Sequence, residues 1–529
     1  MVGFIQQHIA GRPLSPAVWR RLLPPGYPDT EFLLYVLEHG LVVVPPGTEV
    51  PPATCHNYAS TREQAHLVEK QLREELAARQ LLRAPDSAAV SHIHALAAIP
   101  KSAEEVRVIH DLSRPKGQAI NDYITYKQYT WASLDDALRL VHPGYFMARV
   151  DIRQYYRHIP VDPADWPLLA FRWHFTGEAG ATTLLDPYLQ FGQRNAPEVA
   201  HRFTLAILAM MRARGFHNLV GVMDDFLVVE STEEACRRTW QALLDLLAEL
   251  GFQANTKPGK TDPPSQLVKF LGVLIDSSNM QVRLCPAKLA GLQERLARCS
   301  RSITKRELQS LAGLLTWASK VVYGGRTFMR RILDATNSPG PPSTHIKLGA
   351  AARADVQWWR TYLPRFNGVA VILPAQATAP KEFQTDAEST GAIGAFLWGG
   401  YVGLTHEQQL ACFPGAYVPP QGLHISVYET FAVLAAARVF PDALRNTYVC
   451  VRSDNTQTVA AIRKLTCGAS KVNKEHIMRI LRELFGLSVS LNFRITATHI
   501  PGYQNVMADA LSRGQYDRFT TLLHKWRAT

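Results

Sequence analysis

Seven carboxylates, a histidine and a few cations carry the chemistry legible in this sequence. In the stretch Asn218 to Glu230, two apolar runs flank Asp224-Asp225. That pattern predicts a tight hairpin with both acids at its tip. Two carboxylates held close near a protein surface repel by about 4 kcal/mol. A divalent cation converts this repulsion into binding, because Mg²⁺ takes hard oxygen ligands. Taken alone, Asp-Asp is an ordinary solvated turn. Asp151 is a second candidate ligand. It closes the β-branched and aromatic run Tyr145 to Ile152, 73 residues before Asp224.

A further set of acids lies towards the C-terminus. Asp386 follows Phe383-Gln384-Thr385, Glu429 sits in a helical stretch from Ser426 to Phe440, Asp454 follows the strand Thr447 to Arg452, and Asp509 comes ten residues after His499. Each has a structural alternative. Glu429 could complete a capping box with Ser426, Asp454 could cap the following helix, and Asp386 and Asp509 could lie on the surface. Lys101 and Arg107 share a short strand-rich segment. Such a pair is either a solvated basic edge or a clamp on a triphosphate, Arg offering a fork and Lys a point charge.

The elements that must position these groups follow from pattern. Ser60 and Glu63 predict a capped helix running to about Arg83, with Val68, Leu72 and Leu76 on one face. Strands are expected from His94 to Ile99, from Val106 to Leu112 and near Leu168 to His174. Pro197 opens a helix to about Arg214. Ser231 and Glu234 predict the cap of a helix whose Trp240, Leu243, Leu244, Leu247 and Leu250 read as core. Helices are expected from Pro286 to Ser300 and, capped by Thr304 and Glu307, to about Val322. Ala335 to Thr344 has the composition of a linker, followed by a short helical connection ending in Trp358-Trp359. From Glu382 onwards strands dominate, with a hairpin turn at Gly399-Gly400. Residues 1–55 read as an irregular extension with short helices.

Composition bounds the answer. The chain has 529 residues, 47% hydrophobic and 19% charged, with a formal charge of +12. Such a chain buries ordinary cores in several domains, and its positive excess suits a polyanionic partner. Seven scattered cysteines show no metal-type spacing and read as reduced thiols, which points to an intracellular protein, cytoplasmic or nuclear. No apolar run reaches the roughly 18 residues that span a bilayer, and no signal-peptide pattern is present. No membrane partner is expected.

Taken together the motifs resemble reverse transcriptases. Asp151 with Tyr156, the loop Gln190-Phe191-Gly192 to Pro197, and Val222-Met223-Asp224-Asp225 occur in the order of that family's palm motifs. Ile99-Pro100-Lys101, Arg107 and Asp111-Leu112-Ser113-Arg114-Pro115-Lys116-Gly117 resemble its fingers, in the form found in DIRS/Ngaro-like, tyrosine-recombinase retrotransposons. Val222 stands where an aromatic residue is usual and Gln190 where Pro is usual, which bears on fidelity and not on the metal ligands. The acids Asp386, Glu429, Asp454 and Asp509, with His499, resemble ribonuclease H, and His499-Ile500-Pro501-Gly502 with Ala508-Asp509-Ala510-Leu511-Ser512-Arg513 has the form of the retrotransposon enzyme.

The resemblance implies an α+β and α/β multidomain chain. It consists of an N-terminal extension (1–56), right-hand fingers (57–144), palm (145–275) and thumb (276–334), a linker and connection (335–380), a ribonuclease H-like domain (381–515) and a tail (516–529). It implies Asp151, Asp224 and Asp225 as ligands of two Mg²⁺ ions, Mn²⁺ being possible, about 3.5–4 Å apart. Lys101 and Arg107 would hold the triphosphate, with Lys260 (rather than Lys257) beside it. Tyr156 would exclude a 2′-OH, and Phe191 and Gly192 would contact nucleotide and template. Phe270-Leu271-Gly272 resembles the primer grip. In the nuclease, Asp386, Glu429, Asp454 and Asp509 would hold two further ions, and His499 would assist proton transfer or product release. The implied partners are an RNA template, a DNA primer, their hybrid and deoxynucleoside triphosphates, with any recombinase on another chain. Two rivals remain: a non-catalytic nucleic-acid-binding derivative, and an RNA-templated RNA polymerase.

Overall fold

The computed structural model describes residues 11–85, 89–127, 129–322, 324–366, 369–371, 380–445, 447–467, 471–491 and 493–528. The chain divides into two compact units, Met1–Leu271 with Ile275–Asn279, and Gly272–Leu274 with Met280–Thr529. Both mix helices and sheets.

The elements that matter in the first unit are α1 (Pro16–Leu22), α2 (Thr30–His39), α3 (Ala65–Ala77), β1 (Ala95–Pro100), β2 (Val106–Asp111), β3 (Phe146–Asp151), α4 (Ala196–Ala213), β4 (Leu219–Val222), β5 (Asp225–Glu230), α5 (Glu233–Leu250) and β6 (Asp262–Ser265). Four of the strands form one sheet in the order β6-β3-β5-β4. Strand β3 is buried from Met147 onwards, as a continuous apolar run in a central strand should be. Its antiparallel register with β5 sets Asp225 opposite Asp151. Helix α5 buries Leu243, Leu246, Leu247 and Leu250 in the same core as Val150, Phe226 and Val228.

The short helices expected in the N-terminal segment are present, and from Leu14 onwards the segment packs into this core rather than extending from it. Trp19 of α1 is fully buried. It meets Phe203 edge-on at 5.1 Å and donates its indole N–H to the Leu250 carbonyl at 3.3 Å. Gly251 ends α5 with φ +96°, and a Cβ there would lie 2.1 Å from the Pro13 carbonyl oxygen. Only glycine permits that approach.

Other local expectations are corrected. Ser60 does not cap a helix: its Oγ accepts the Ala98 N–H, and the predicted helix breaks into Ala59–Glu63 and α3, which ends at Ala77. The cap of α5 is Thr232, not Ser231. The capping box of Thr304 with Glu307 forms as predicted.

In the second unit come α6 (Pro286–Arg298), α7 (Lys305–Ala318), α8 (Ala350–Phe366), β7 (Lys381–Ala387), β8 (Ile393–Leu397), β9 (Gly400–Leu404), α9 (Ile425–Val439), β10 (Tyr448–Ser453), α10 (Thr456–Lys464), α11 (Lys471–Ser490), β11 (Arg494–His499), α12 (Val506–Ser512) and α13 (Tyr516–Arg527). Ala335 to Thr344 is not a free linker. Lys305 Nζ donates to the Ser338 and Gly340 carbonyls, and Arg306 N–H to Pro342. Helix α8 runs past Trp358-Trp359 to Phe366, with Trp358 stacked 4.0 Å from Phe328. Part of the expected connection, residues 372–379, lies outside the described residues.

Strands β7 to β11 form one sheet in the order β9-β8-β7-β10-β11. β7 pairs antiparallel with β8 and parallel with β10, which pairs parallel with β11. Helix α9 is buried from Ser426 to Ala437 and fills the core beside this sheet. The expected C-terminal tail is helix α13. Its Phe519 and Leu523 are buried against Phe396, Met507 and Leu511.

Truncating Trp19 to Ala should cost about 3–5 kcal/mol. Urea unfolding checks this; a loss below about 1 kcal/mol would mean that the N-terminal helices are peripheral to the core.

Candidate active sites

The Asp224-Asp225 hairpin is real, but its tip is Met223-Asp224. Asp225 is already the first residue of β5, paired with Val222 and with Asp151. Met223 has φ +59°, a left-handed conformation costly for an unbranched L-residue. The hydroxyl of Thr204 donates to the Met223 carbonyl at 2.7 Å, and Tyr155 OH is 2.9 Å from Thr204 Oγ1. Helix α4 thereby holds the strained turn.

The three aspartates lie at one end of the sheet, each compensated differently. Asp151, almost fully buried, accepts from Asn255 Nδ2 at 2.7 Å and from Lys260 Nζ at 2.9 Å. Asp225 takes both oxygens to the fork of Arg149: Nε to Oδ1 at 2.6 Å and Nη2 to Oδ2 at 3.1 Å. Asp224 is pushed above the ordinary carboxylate range, first by burial and then by Asp151. Burial also pushes Asp225 up to about 6, against the pull of Arg149. Such crowding, with water largely excluded, is the setting in which a divalent cation is the natural further partner. Asp151 and Asp224 would hold it.

Pattern reading missed Arg149. A lone arginine in an apolar strand gives no signal until the register sets it beside Asp225. Its Nη1 also donates to the Gly259 carbonyl at 2.8 Å, and its own carbonyl receives the Trp240 indole N–H at 3.2 Å. Trp240, read as plain core, therefore also fixes the strand carrying Arg149 and Asp151.

The residues expected around a nucleotide converge. β1 and β2 form the hairpin carrying Lys101 and Arg107, with Ile99 opposite Arg107. The Arg107 guanidinium lies over the Phe191 ring at 5.1 Å, and Phe191 lies 4.8 Å from Tyr156. Tyr156 sits in a 3₁₀ turn, Tyr155–His158, just after Asp151. Burial raises its phenol, and Asp224 raises it further. Lys101 is pushed down by burial and then by Arg107, with Lys257 and Lys260 adding to the effect. Four cations thus share one neighbourhood. Lys257 pairs with Glu105, whereas Lys260 reaches Asp151. Gly192 has φ +121°, and a Cβ there would lie 1.9 Å from the His110 carbonyl oxygen. Gln190 is fully buried and donates to the Leu169 carbonyl at 3.2 Å, so it supports the loop from inside.

In the second unit, Asp386 on β7, Glu429 on α9 and Asp454 after β10 bring one carboxylate oxygen each within 4.8 Å of the others, which suits a metal ion. Neither capping alternative holds. His424 caps α9 and Asn455 caps α10. Glu429 is pushed up to about 9, by burial first and then by Asp386 and Asp454, and its Oε2 is buried without a hydrogen-bond partner. Asp386 rises to about 6 through burial, opposed by the Ser512 hydroxyl. An orphaned buried oxygen inside a ring of three acids fits a divalent cation. Asp509 on α12 lies outside this triad and accepts from Arg513 Nε at 2.6 Å and Arg518 Nη1 at 2.9 Å. His499 ends β11, exposed, with Nε2 3.2 Å from the Asp454 carbonyl oxygen. Asn505, fully buried, donates to the Thr385 carbonyl at 2.9 Å and so ties α12 to the strand bearing Asp386.

These shifts fix a pH dependence. Glu429 holds its proton in the fold up to about 9, whereas an unfolded Glu releases it near pH 4.3. The folded state therefore binds more protons in between. Stability present below the unfolded value is lost as pH rises towards the folded one. In chelator, the thermal midpoint should fall between about pH 5 and pH 9, and Glu429→Gln should flatten that fall. A parallel pH profile for the two proteins would contradict the assignment.

The comparisons agree with this geometry. Residues 99–275 match the family model described as reverse transcriptase (RNA-dependent DNA polymerase). Protein P of duck hepatitis B virus (strain United States/DHBV-16) is 27% identical over 188 residues, 34% of this chain and 21% of the relative. The Gag-Pol polyprotein of avian reticuloendotheliosis virus is 24% identical over 335 residues, 62% of this chain and 26% of the relative. The chain thus spans about a quarter or less of these relatives. Among solved structures, the foamy viral protease-reverse transcriptase in complex with RNA/DNA hybrid aligns with TM-score 0.53 at 14% identity, covering 92% of this chain and 63% of that one. A second foamy viral protease-reverse transcriptase, in complex with double-stranded DNA, gives 0.52 at 14% identity, with 92% and 81% covered. The fold is that of a multidomain polymerase, and within it residues 99–275 are a reverse transcriptase domain of the retroviral and hepadnaviral type.

Proposed function

We propose that the chain is an RNA-directed DNA polymerase of a retroelement, extending a DNA primer on an RNA or DNA template. We further propose that its C-terminal domain hydrolyses the RNA of the resulting hybrid. The register of Asp225 against Asp151 carries the reading, because it gathers acids 74 residues apart at one sheet end, beside the row Arg107, Phe191 and Tyr156. Mg²⁺, or Mn²⁺ in its place, would supply charge neutralisation and activation of an oxygen nucleophile when bound.

The protein's own part is positioning. Lys101, Arg107 and Lys260 hold the triphosphate. Tyr156, buried and packed at a tilt against Phe191, closes the space below the sugar and disfavours a 2′-OH. The primer 3′-oxygen attacks the α-phosphorus, the new P–O bond forms as the bond to the β-phosphate oxygen breaks, and pyrophosphate leaves. Asp151 and Asp224 are placed to hold the ions this requires. Asp225 is held by Arg149, and it steadies the hairpin from β5. In the nuclease, Asp386, Glu429 and Asp454 would hold the ions, a water attacks the RNA phosphorus, and the 3′-oxygen leaves. His499, exposed beside Asp454, would assist proton transfer or product release, and Asp509 would be the fourth acid of the nuclease. The 2′-OH marks the strand to be cut.

The form Leu112-Ser113-Arg114-Pro115-Lys116-Gly117 supports a DIRS/Ngaro-like element, for which a recombinase on another chain is the expected partner. Seven free cysteines support an intracellular setting, cytoplasmic or nuclear. A +12 charge suits binding of a hybrid duplex through its phosphates.

Primer extension on an RNA template with deoxy- or ribonucleotides tests the reading. The native chain should use deoxynucleotides, and Tyr156→Ala should raise ribonucleotide use by about tenfold or more. Unchanged discrimination would remove Tyr156 from the sugar site. Asp386→Asn should abolish hybrid cleavage and leave extension within about twofold; retained cleavage would remove the triad from the nuclease.

A further inference from the structure

Beneath the nucleotide pocket runs a buried charged chain that the mechanism above does not use. Arg157, the residue after Tyr156, is 7% exposed and splits its guanidinium between two acids. Nη1 donates to Asp186 at 2.5 Å and Nη2 to Glu75 of α3 at 2.8 Å. Glu75 is 3% exposed, and Asp186 is fully buried. The other oxygen of Glu75 accepts from Gln71 Nε2 at 2.8 Å.

Asp186 has one further hydrogen-bond partner and one ring packed beside it, both towards the nucleotide loop. Its Oδ1 accepts the Tyr188 N–H at 3.1 Å, where the loop begins. Its Oδ2 lies 3.8 Å from His110 Nε2. His110 is the rail on which the loop rests: its N–H donates to the Phe191 carbonyl at 2.8 Å, and its own carbonyl leaves no room for a Cβ at residue 192. The other ring nitrogen of His110 is 2.8 Å from His94 Nε2, and burial holds both rings well below the usual histidine range, hence neutral. The hydrogen-bonded chain Glu75–Arg157–Asp186 thus links the fingers helix α3, the turn that carries Tyr156 and, through the Tyr188 N–H, the segment leading into the loop Phe191-Gly192, with the His110 ring packed beside Asp186.

Burying an ion triad does not by itself stabilise a fold, and apolar side chains of equal volume often serve as well or better. What a forked arginine does supply is geometry, because its two donors cannot follow two acids that move independently. We propose that Glu75, Arg157 and Asp186 form a positioning network that fixes the Tyr156 gate and the Phe191-Gly192 loop relative to each other, and so sets both nucleotide affinity and sugar discrimination without touching the nucleotide. The inference rests on the polymerase reading above.

Arg157→Lys keeps the charge and loses the fork; Glu75→Gln keeps the shape and loses one charge. Each is compared with the native chain for thermal midpoint, burst amplitude, KM for deoxynucleotide, kcat and ribonucleotide use. The expected result is a KM raised by about tenfold and discrimination lowered by a similar factor, with kcat per active site changed by less than about threefold. Glu75→Gln, the milder change, should show the same pattern to a smaller degree and remains informative where Arg157→Lys fails to fold. A lowered midpoint or burst amplitude with KM and discrimination unchanged would overturn the proposal, since that is what a merely structural triad gives. A native chain that does not extend the primer would overturn the polymerase reading and this proposal with it.

Discussion

Like charges brought together away from water are the constraint on which both sites depend. Each gathers carboxylates that repel and that burial further penalises, so each needs a partner for them. The two sites solve this differently. At the β3–β5 end, protein cations do it. The Arg149 fork takes Asp225, Lys260 takes Asp151, and Asp224 is left with a raised pKa. In the triad of Asp386, Glu429 and Asp454, protons and neutral donors do it, with Glu429 pushed up to about 9 and Asp386 held by Ser512.

The difference matters for how each site takes up a divalent ion. Arg149 is anchored at the Asp225 carboxylate and the Gly259 carbonyl, and its strand is pinned by Trp240, so it stays. Lys260 is a single, half-exposed point charge on Asp151, without the fork that fixes Arg149. The polymerase acids are thereby pre-arranged before an ion arrives. In the triad, burial favours the protonated Glu429, so a bound ion would compete with that proton and its uptake would be coupled to pH.

Much of this was legible in the sequence because the chemistry is local there. Asp224 lies on a hairpin tip between two apolar runs, Asp151 ends a strand, and Thr304 with Glu307 caps a helix. Failures came where a tertiary partner outcompeted a local one. Ser60 has a capping-box sequence, yet the Ala98 N–H of a neighbouring strand takes its hydroxyl. Ala335 to Thr344 has linker composition, yet Lys305 fastens its carbonyls. Residues 516–529 carry too few apolar groups to announce a core helix, and Phe519 and Leu523 suffice only because Phe396 and Leu511 receive them. Arg149, Glu75, Arg157 and Asp186 were invisible for the same reason. Charged residues scattered through the sequence become a network only when register and topology place them together.

The central claim is that one chain holds two separate metal-dependent sites, one polymerising and one hydrolytic. The most direct measurement uses a labelled DNA primer on an RNA strand carrying a second label, with Mg²⁺ and deoxynucleotides, comparing the native chain with Asp224→Asn/Asp225→Asn. The account predicts that the variant loses extension and keeps cleavage of the RNA strand. No extension by the native chain despite tight binding of the hybrid would contradict it, and would mark the chain as a non-catalytic binder of nucleic acid.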